Sequence, residues 1–166
     1  LDALRHILEA APHLAILIDA AYYEFHGVTV LPWLAEFPNL FVSRTFSKAF
    51  GMAGMRIGCL FSQAGNIAFL HKAQSPYSVN TLAAIAAKAA VQDTDFIQDY
   101  VGQVLASREL LSRGLEALGI PYVKSDANFI LTLVGDRAIE IRDALRGQAI
   151  LTRDRSYEIP GGLRIT

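Results

Sequence analysis

The segment RTFSKAFGMAGMRIG, Arg44 to Gly58, sets one lysine among small polar and apolar, glycine-spaced residues and adds an arginine eight positions later. Lys48 carries an amine able to form a Schiff base with a carbonyl compound. Such a lysine must first lose its proton, and low polarity or a neighbouring cation favours that loss. Residues 49–54 supply low polarity, and Arg56 is the neighbouring cation. Thr45 and Ser47 add hydroxyls for anionic oxygens, and Arg56 adds a planar fork of donors suited to a phosphate. A compound with both a carbonyl and a phosphate fits this set, and pyridoxal phosphate is one. Structural alternatives remain open: a lysine after a serine is common, and Arg56 could cap a helix or pair with a surface carboxylate.

A second constellation lies upstream in LIDAAYYEF. Asp19 ends a short apolar run, at the position where ligand groups gather in open α/β sheets. A carboxylate there would keep a pyridine nitrogen protonated, and Tyr22 could hydrogen-bond a phenolic ring oxygen. As alternatives, Asp19 is a turn or cap residue and Tyr22 ordinary packing.

These residues need elements to hold them. LDALRHILEAA reads as a helix. Leu14 to Ile18 reads as a buried parallel strand. NLFVSRTF, after the turn signal at Pro38-Asn39, reads as a second strand and RIGCLFS as a third. NTLAAIAAKAAVQ is an alanine-rich helix. The stretch from Asp95 to Leu118 carries apolar residues at Ile97, Val101, Val104, Leu111, Leu115 and Leu118, the spacing of a long amphipathic helix that Gly119 and Pro121 end. ANFILTLV reads as a strand, DRAIEIRDALRGQ as a helix opened by Asp136 and closed near Gly147, and AILTR and GLRIT as strands. Alternation of this kind predicts an α/β fold, with a boundary near residues 75–95 at the loop QSPYSVN.

Composition narrows the classes. The chain has 166 residues, a formal net charge of −1 and 52% hydrophobic residues, so a substantial core is expected. Charge near zero gives no electrostatic reason for nucleic acid or an anionic membrane as partner. No apolar stretch is long enough to span a bilayer. Cys59 is the only cysteine, which excludes an internal disulfide and fits a reducing, cytoplasmic setting. His6, His13, His26 and His71 are scattered without metal-ligand spacing, so no metal is expected.

DAAYYEF, WLAEFPNLFVSRTFSKAFGMAGMRIG, SPYSVN, DANFIL and LTRDRSYEIPGGLRIT, in this order over nearly the whole chain, resemble the pyridoxal-phosphate-dependent aminotransferases of fold type I. The likeness is greatest to their histidinol-phosphate branch, although aromatic aminotransferases and threonine-phosphate decarboxylases share much of it. The resemblance implies that Lys48 holds the cofactor covalently and shuttles the substrate Cα proton. It implies that Asp19 pairs with the pyridine nitrogen, Tyr22 with the ring oxygen, and Thr45, Ser47 and Arg56 with the phosphate. Arg153 and Arg164 match substrate-anion arginines; surface salt bridges are their alternative. Asn128 and Tyr77 match motif positions without a firm role. One departure is Ala20, where the family usually carries glutamate; a modest structural effect is expected.

The implied layout is the C-terminal part of the cofactor-binding large domain over residues 1–85, connecting helices over 86–118, and a small α+β C-terminal domain over 119–166, truncated at its end. The implied activity is transamination from histidinol phosphate to 2-oxoglutarate, in a cytoplasmic homodimer of histidine biosynthesis. Its partners are a small-molecule amino donor and a 2-oxo acid. Alternatives are an aromatic amino acid aminotransferase or a non-catalytic, aminotransferase-like regulatory domain. The resembling enzymes draw further cofactor contacts from an N-terminal half that this sequence does not contain, so the chain alone is expected to hold about half a site; a third reading is a structural fragment without activity.

Overall fold

In the computed structural model, which describes residues 1–166, the chain separates into two units, Leu1–Ile97 and Gln98–Thr166. In the first, α1 (Asp2–Ala10) precedes β1 (Ile16–Asp19). The connection to β2 (Leu40–Thr45) holds the short α2 (Tyr23–His26) and a 3₁₀ turn at Leu31–Ala35. β1 and β2 are parallel, in a register that sets Ile16 beside Leu40 and Asp19 beside Ser43. β3 (Gly58–Phe61) lies antiparallel on the other side of β2, with Thr45 beside Gly58. The sheet order is therefore β1-β2-β3, with β2 in the centre.

Strand residues alternate between faces, and here the two faces differ. Leu40 and Val42 are fully buried and join Leu8, Val30 and Phe37 in the core, with Ile16, Ile18 and Ala20 packed against it. Asn39 ties this layer to α1: its side-chain amide donates to the carbonyls of Leu8 and Ala11, at 3.3 and 3.1 Å. These carbonyls lie at a helix end, where partners within the helix run out. On the opposite face Leu17 is 59% exposed. β1 is thus parallel, as its sequence indicates, but covered on one face rather than two. α3 (Ala64–His71) and α4 (Thr81–Gln92) complete the unit. Asn80 caps α4 by accepting from the Ala83 amide at 2.8 Å, and Ala83 and Ala87 are the buried small residues of that helix.

α5 (Thr94–Ala117) runs from the first unit into the second and stops before Gly119, whose φ is +65°. The second unit holds β4 (Tyr122–Val123), β5 (Ile130–Leu133), α6 (Ala138–Gly147), β6 (Arg153–Asp154) and β7 (Gly162–Ile165). Its strands pair antiparallel in the order β4-β5-β7-β6. Ile130, Thr132 and Leu163 are each 1% exposed, and the Thr132 hydroxyl donates to the Leu163 carbonyl at 2.8 Å, which satisfies it inside the core.

Two local expectations need correction. Asp136 does not cap α6; it lies in a 3₁₀ turn, Gly135–Arg137, and the helix starts without a side-chain cap. The strand expected over AILTR shrinks to Arg153–Asp154, because Ala149 turns the chain at φ +62° after α6.

Gly161 makes the turn into β7 possible. Its φ is +74°, and a Cβ there would sit 2.5 Å from the Gly135 backbone nitrogen. Backbone cannot move aside as a flexible side chain can. Gly161→Ala should therefore destabilise the fold by about 3 kcal/mol through clash and strained φ. Chemical denaturation checks this, and an unchanged midpoint would refute the close approach.

Candidate active site

Lys48 hangs from the end of β2. Its neighbours Phe46 and Ala49 are buried, at 8% and 2% exposure, and pin the loop on both sides of it. The Phe46 and Phe50 rings pack with centroids 4.9 Å apart. The Met52 amide donates to the Phe46 carbonyl at 2.9 Å, and the Gly51 amide to the Lys48 carbonyl at 3.0 Å. Apolar residues and glycines in this stretch thus close a tight loop around a half-buried lysine. Thr45 Oγ1 accepts from the Ser47 amide at 3.1 Å, so the two hydroxyl residues are locked together just before Lys48.

Arg56 closes the same loop. It adopts the left-handed conformation, φ 53° and ψ 46°, uncommon for a residue with a side chain. Its Nη1 donates to the Ala53 carbonyl at 2.8 Å, and the side chain is otherwise exposed. Strained backbone of this kind clusters at functional sites. Two residues on, Gly58 lets β3 close on β2, since a Cβ there would lie 2.8 Å from the Arg44 carbonyl oxygen.

Asp19 stands at the C-terminal end of β1, beside Ser43. Its Oδ1 accepts from the Ser43 hydroxyl at 3.0 Å and from the Ala21 amide at 3.1 Å. One oxygen is held by the scaffold, and Oδ2 takes no part in these bonds. Register and pleat put Asp19, Ser43 and Thr45 on one face of the sheet. The Lys48 ammonium lies 5.3 Å from the centre of the Tyr22 ring. Asp19, Tyr22, Thr45, Ser47, Lys48 and Arg56 therefore all emerge at one end of the sheet. Ser43 was not among the residues singled out from the sequence. Only the register of β1 against β2 reveals it.

In the second unit, Arg153 and Arg164 are register partners across β6 and β7, so both project from the same face. Like charges directly opposite each other repel unless an anion lies between them. Arg164 stacks over Phe129, 5.1 Å from the ring centre, and its buried Nε has no hydrogen-bond partner. A buried donor left unsatisfied is what an absent anionic ligand would explain. Asn128 lines a cavity of about 330 Å³ between α5 and the sheet, with Arg108, Phe129 and Ile130. Tyr77 is 91% exposed on its loop.

The family model for aminotransferases of class I and II matches residues 1–166. Histidinol-phosphate aminotransferase 2 of Ralstonia nicotianae is 37% identical over 174 residues, which cover 99% of this chain and 46% of that protein. The crystal structure of the histidinol-phosphate aminotransferase from Clostridium acetobutylicum superimposes with a TM-score of 0.88 at 26% identity, covering 98% of this chain and 52% of that one. The enzyme of the same name from Sinorhizobium meliloti, solved in complex with pyridoxal 5′-phosphate, gives a TM-score of 0.82 at 25% identity, covering 98% of this chain and 47% of that one. The chain spans about half the length of the curated relatives it matches. On the full-length match of the family model, with these relatives beside it, the chain belongs to the class I and II aminotransferases.

Proposed function

We propose that this chain carries the lysine-bearing part of a pyridoxal-phosphate-dependent transaminase that moves the amino group of histidinol phosphate to 2-oxoglutarate, a step of histidine biosynthesis. The observation that carries the reading is the set at the sheet end. A lysine, a carboxylate with one oxygen unused, and two locked hydroxyl residues meet there. Asp19 Oδ2 would pair with the pyridine nitrogen and Tyr22 with the ring oxygen. Thr45, Ser47 and Arg56 would hold the phosphate. Pyridoxal phosphate bound there supplies an electron sink for the pair left behind when the substrate Cα loses its proton. Lys48 Nζ takes that proton and returns it elsewhere, as base and then acid. In this reading the complete protein is a homodimer, and residues 1–85, 86–118 and 119–166 are its partial cofactor domain, connecting helices and small domain.

The test is an absorption spectrum of the protein with pyridoxal phosphate before and after borohydride, followed by peptide mapping. The label belongs on Lys48. A label on another lysine would overturn the assignment.

Arg153 and Arg164 supply the anion site in this reading, for the phosphate of one substrate and a carboxylate of the other. Arg164→Met should raise KM for both anionic substrates by about tenfold to a hundredfold, the worth of a lost charge-assisted hydrogen bond, with kcat changed far less. Unchanged KM values would remove Arg164 from the site. Because this pair suits a carboxylate as well as a phosphate, an aromatic amino acid is the second candidate donor. A donor panel on the complete protein distinguishes the two by kcat/KM.

A further inference from the structure

Arg44 points to the face opposite Ser43 and Thr45, away from the proposed cofactor. Its side chain is 14% exposed, as is that of Glu24, and the two form an ion pair at 3.5 Å. Its guanidinium also lies over the Tyr23 ring, 3.4 Å from the ring centre. Nη2 donates to Thr29 Oγ1 at 3.0 Å. One side chain from β2 thus grips three residues of the connection between β1 and β2. Tyr23 and Glu24 directly follow Tyr22. Thr45, Ser47 and Lys48 follow Arg44 within four residues. The two segments that carry the proposed cofactor contacts are therefore joined through Arg44.

Stability alone accounts poorly for this device. Burying an ion pair carries a desolvation penalty that apolar residues of similar volume avoid. The penalty is not fully relieved here, because Glu24 Oε2 and Arg44 Nε are buried without hydrogen-bond partners. What the pair offers instead is geometry. A planar fork that stacks on one ring while hydrogen-bonding one oxygen and pairing with a carboxylate admits few orientations, and a lysine cannot reproduce it.

We propose that Arg44, braced by Glu24, is a positioning residue that sets Tyr22 against Lys48 from beneath the sheet. The inference rests on the reading of Lys48 as the cofactor-bearing lysine. Its test uses the complete protein, the apolar double variant Glu24→Leu/Arg44→Met and the single variant Arg44→Lys. The unsubstituted protein should give a borohydride-stable pyridoxal label on Lys48. The double variant should unfold cooperatively and keep that label. It should bind pyridoxal phosphate at least tenfold more weakly and lose at least tenfold in kcat, while the pH midpoint of the bound cofactor's absorbance moves. Arg44→Lys keeps the charge but loses the fork, so it should match the double variant; should the double variant fail to fold, Arg44→Lys decides alone. Unchanged Kd, kcat and midpoint in a folded double variant, or full function in Arg44→Lys, would overturn the positioning role while leaving the cofactor reading intact. An unsubstituted protein without label on Lys48 would overturn the cofactor reading, and the positioning role with it.

Discussion

In the complete protein, Lys48→Ala is expected to leave no borohydride-stable pyridoxal label and to lower transamination by about ten-thousand-fold. Two losses combine in that figure. The covalent attachment disappears, so the cofactor is held only by Asp19, Tyr22 and the phosphate contacts of the proposed site. The proton at the substrate Cα also loses its acceptor, and a positioned acid–base group alone is worth about 10²–10⁴ in rate. The surrounding structure should tolerate the change. The loop is pinned by Phe46 and Ala49 and by backbone hydrogen bonds, none of which uses the lysine side chain. Thermal unfolding close to that of the unsubstituted protein would show that the loss is chemical. Near-normal turnover, or a label on the variant, would exclude Lys48. Added small amines offer a further readout, since a freely diffusing base should restore part of the proton transfer but none of the label.

Asp19→Asn is expected to retain the cofactor and lose about 10²–10³ in kcat, the usual worth of an electrostatic group aimed at developing charge. The geometry makes this substitution informative. The Ser43 hydroxyl and the Ala21 amide both bond Oδ1, and an asparagine keeps an oxygen there. The scaffold is preserved while an amide nitrogen replaces the free carboxylate oxygen. A pyridine nitrogen facing a donor instead of a carboxylate loses its reason to stay protonated, and the ring draws electrons less strongly. Cofactor content should remain near one per chain, and the isotope effect for a deuterium at the substrate Cα should rise as proton abstraction becomes limiting. Turnover within a few fold of normal would show that Asp19 does not face the ring nitrogen.

Much of this site was legible in the sequence because it is local. Thr45, Ser47, Lys48 and Arg56 lie within twelve residues, in one strand and the loop that follows. The strands around them have strong signals too: an apolar run ending at Asp19, and the turn at Pro38-Asn39 before β2. What the sequence concealed depends on pairing across distance. Ser43 matters only because β1 and β2 are parallel in one particular register, and periodicity cannot state a register. The grip of Arg44 on Tyr23, Glu24 and Thr29 joins residues on two segments, and an arginine inside a strand gives no warning of it. The misplaced role of Asp136 has another source. An aspartate before a helix is a fair capping signal, but Gly135 takes φ +63° and a 3₁₀ turn leads the chain into α6 instead. The two arginines opposite each other on β6 and β7 were legible as matched motif positions, while their shared face emerged only from the antiparallel pairing.

The central place of β2 has a consequence in time. β2 is hydrogen-bonded on both sides, to β1 and to β3, and buries Leu40 and Val42 completely. Local opening begins where backbone bonds meet water and contacts are few. Each β2 amide that points to β1 or to β3 is released for deuterium exchange when that particular strand parts from it, so the two sides of β2 report two separate openings. Lys48 lies three residues past the end of β2, in a loop tied to the start of β3 by the Phe46 amide, which donates to the Ile57 carbonyl at 3.3 Å. Parting β1 from β2 would carry Asp19 away from Ser43 while the loop bearing Lys48 stays tied between β2 and β3, so the proposed site would lose its carboxylate and its lysine in separate events.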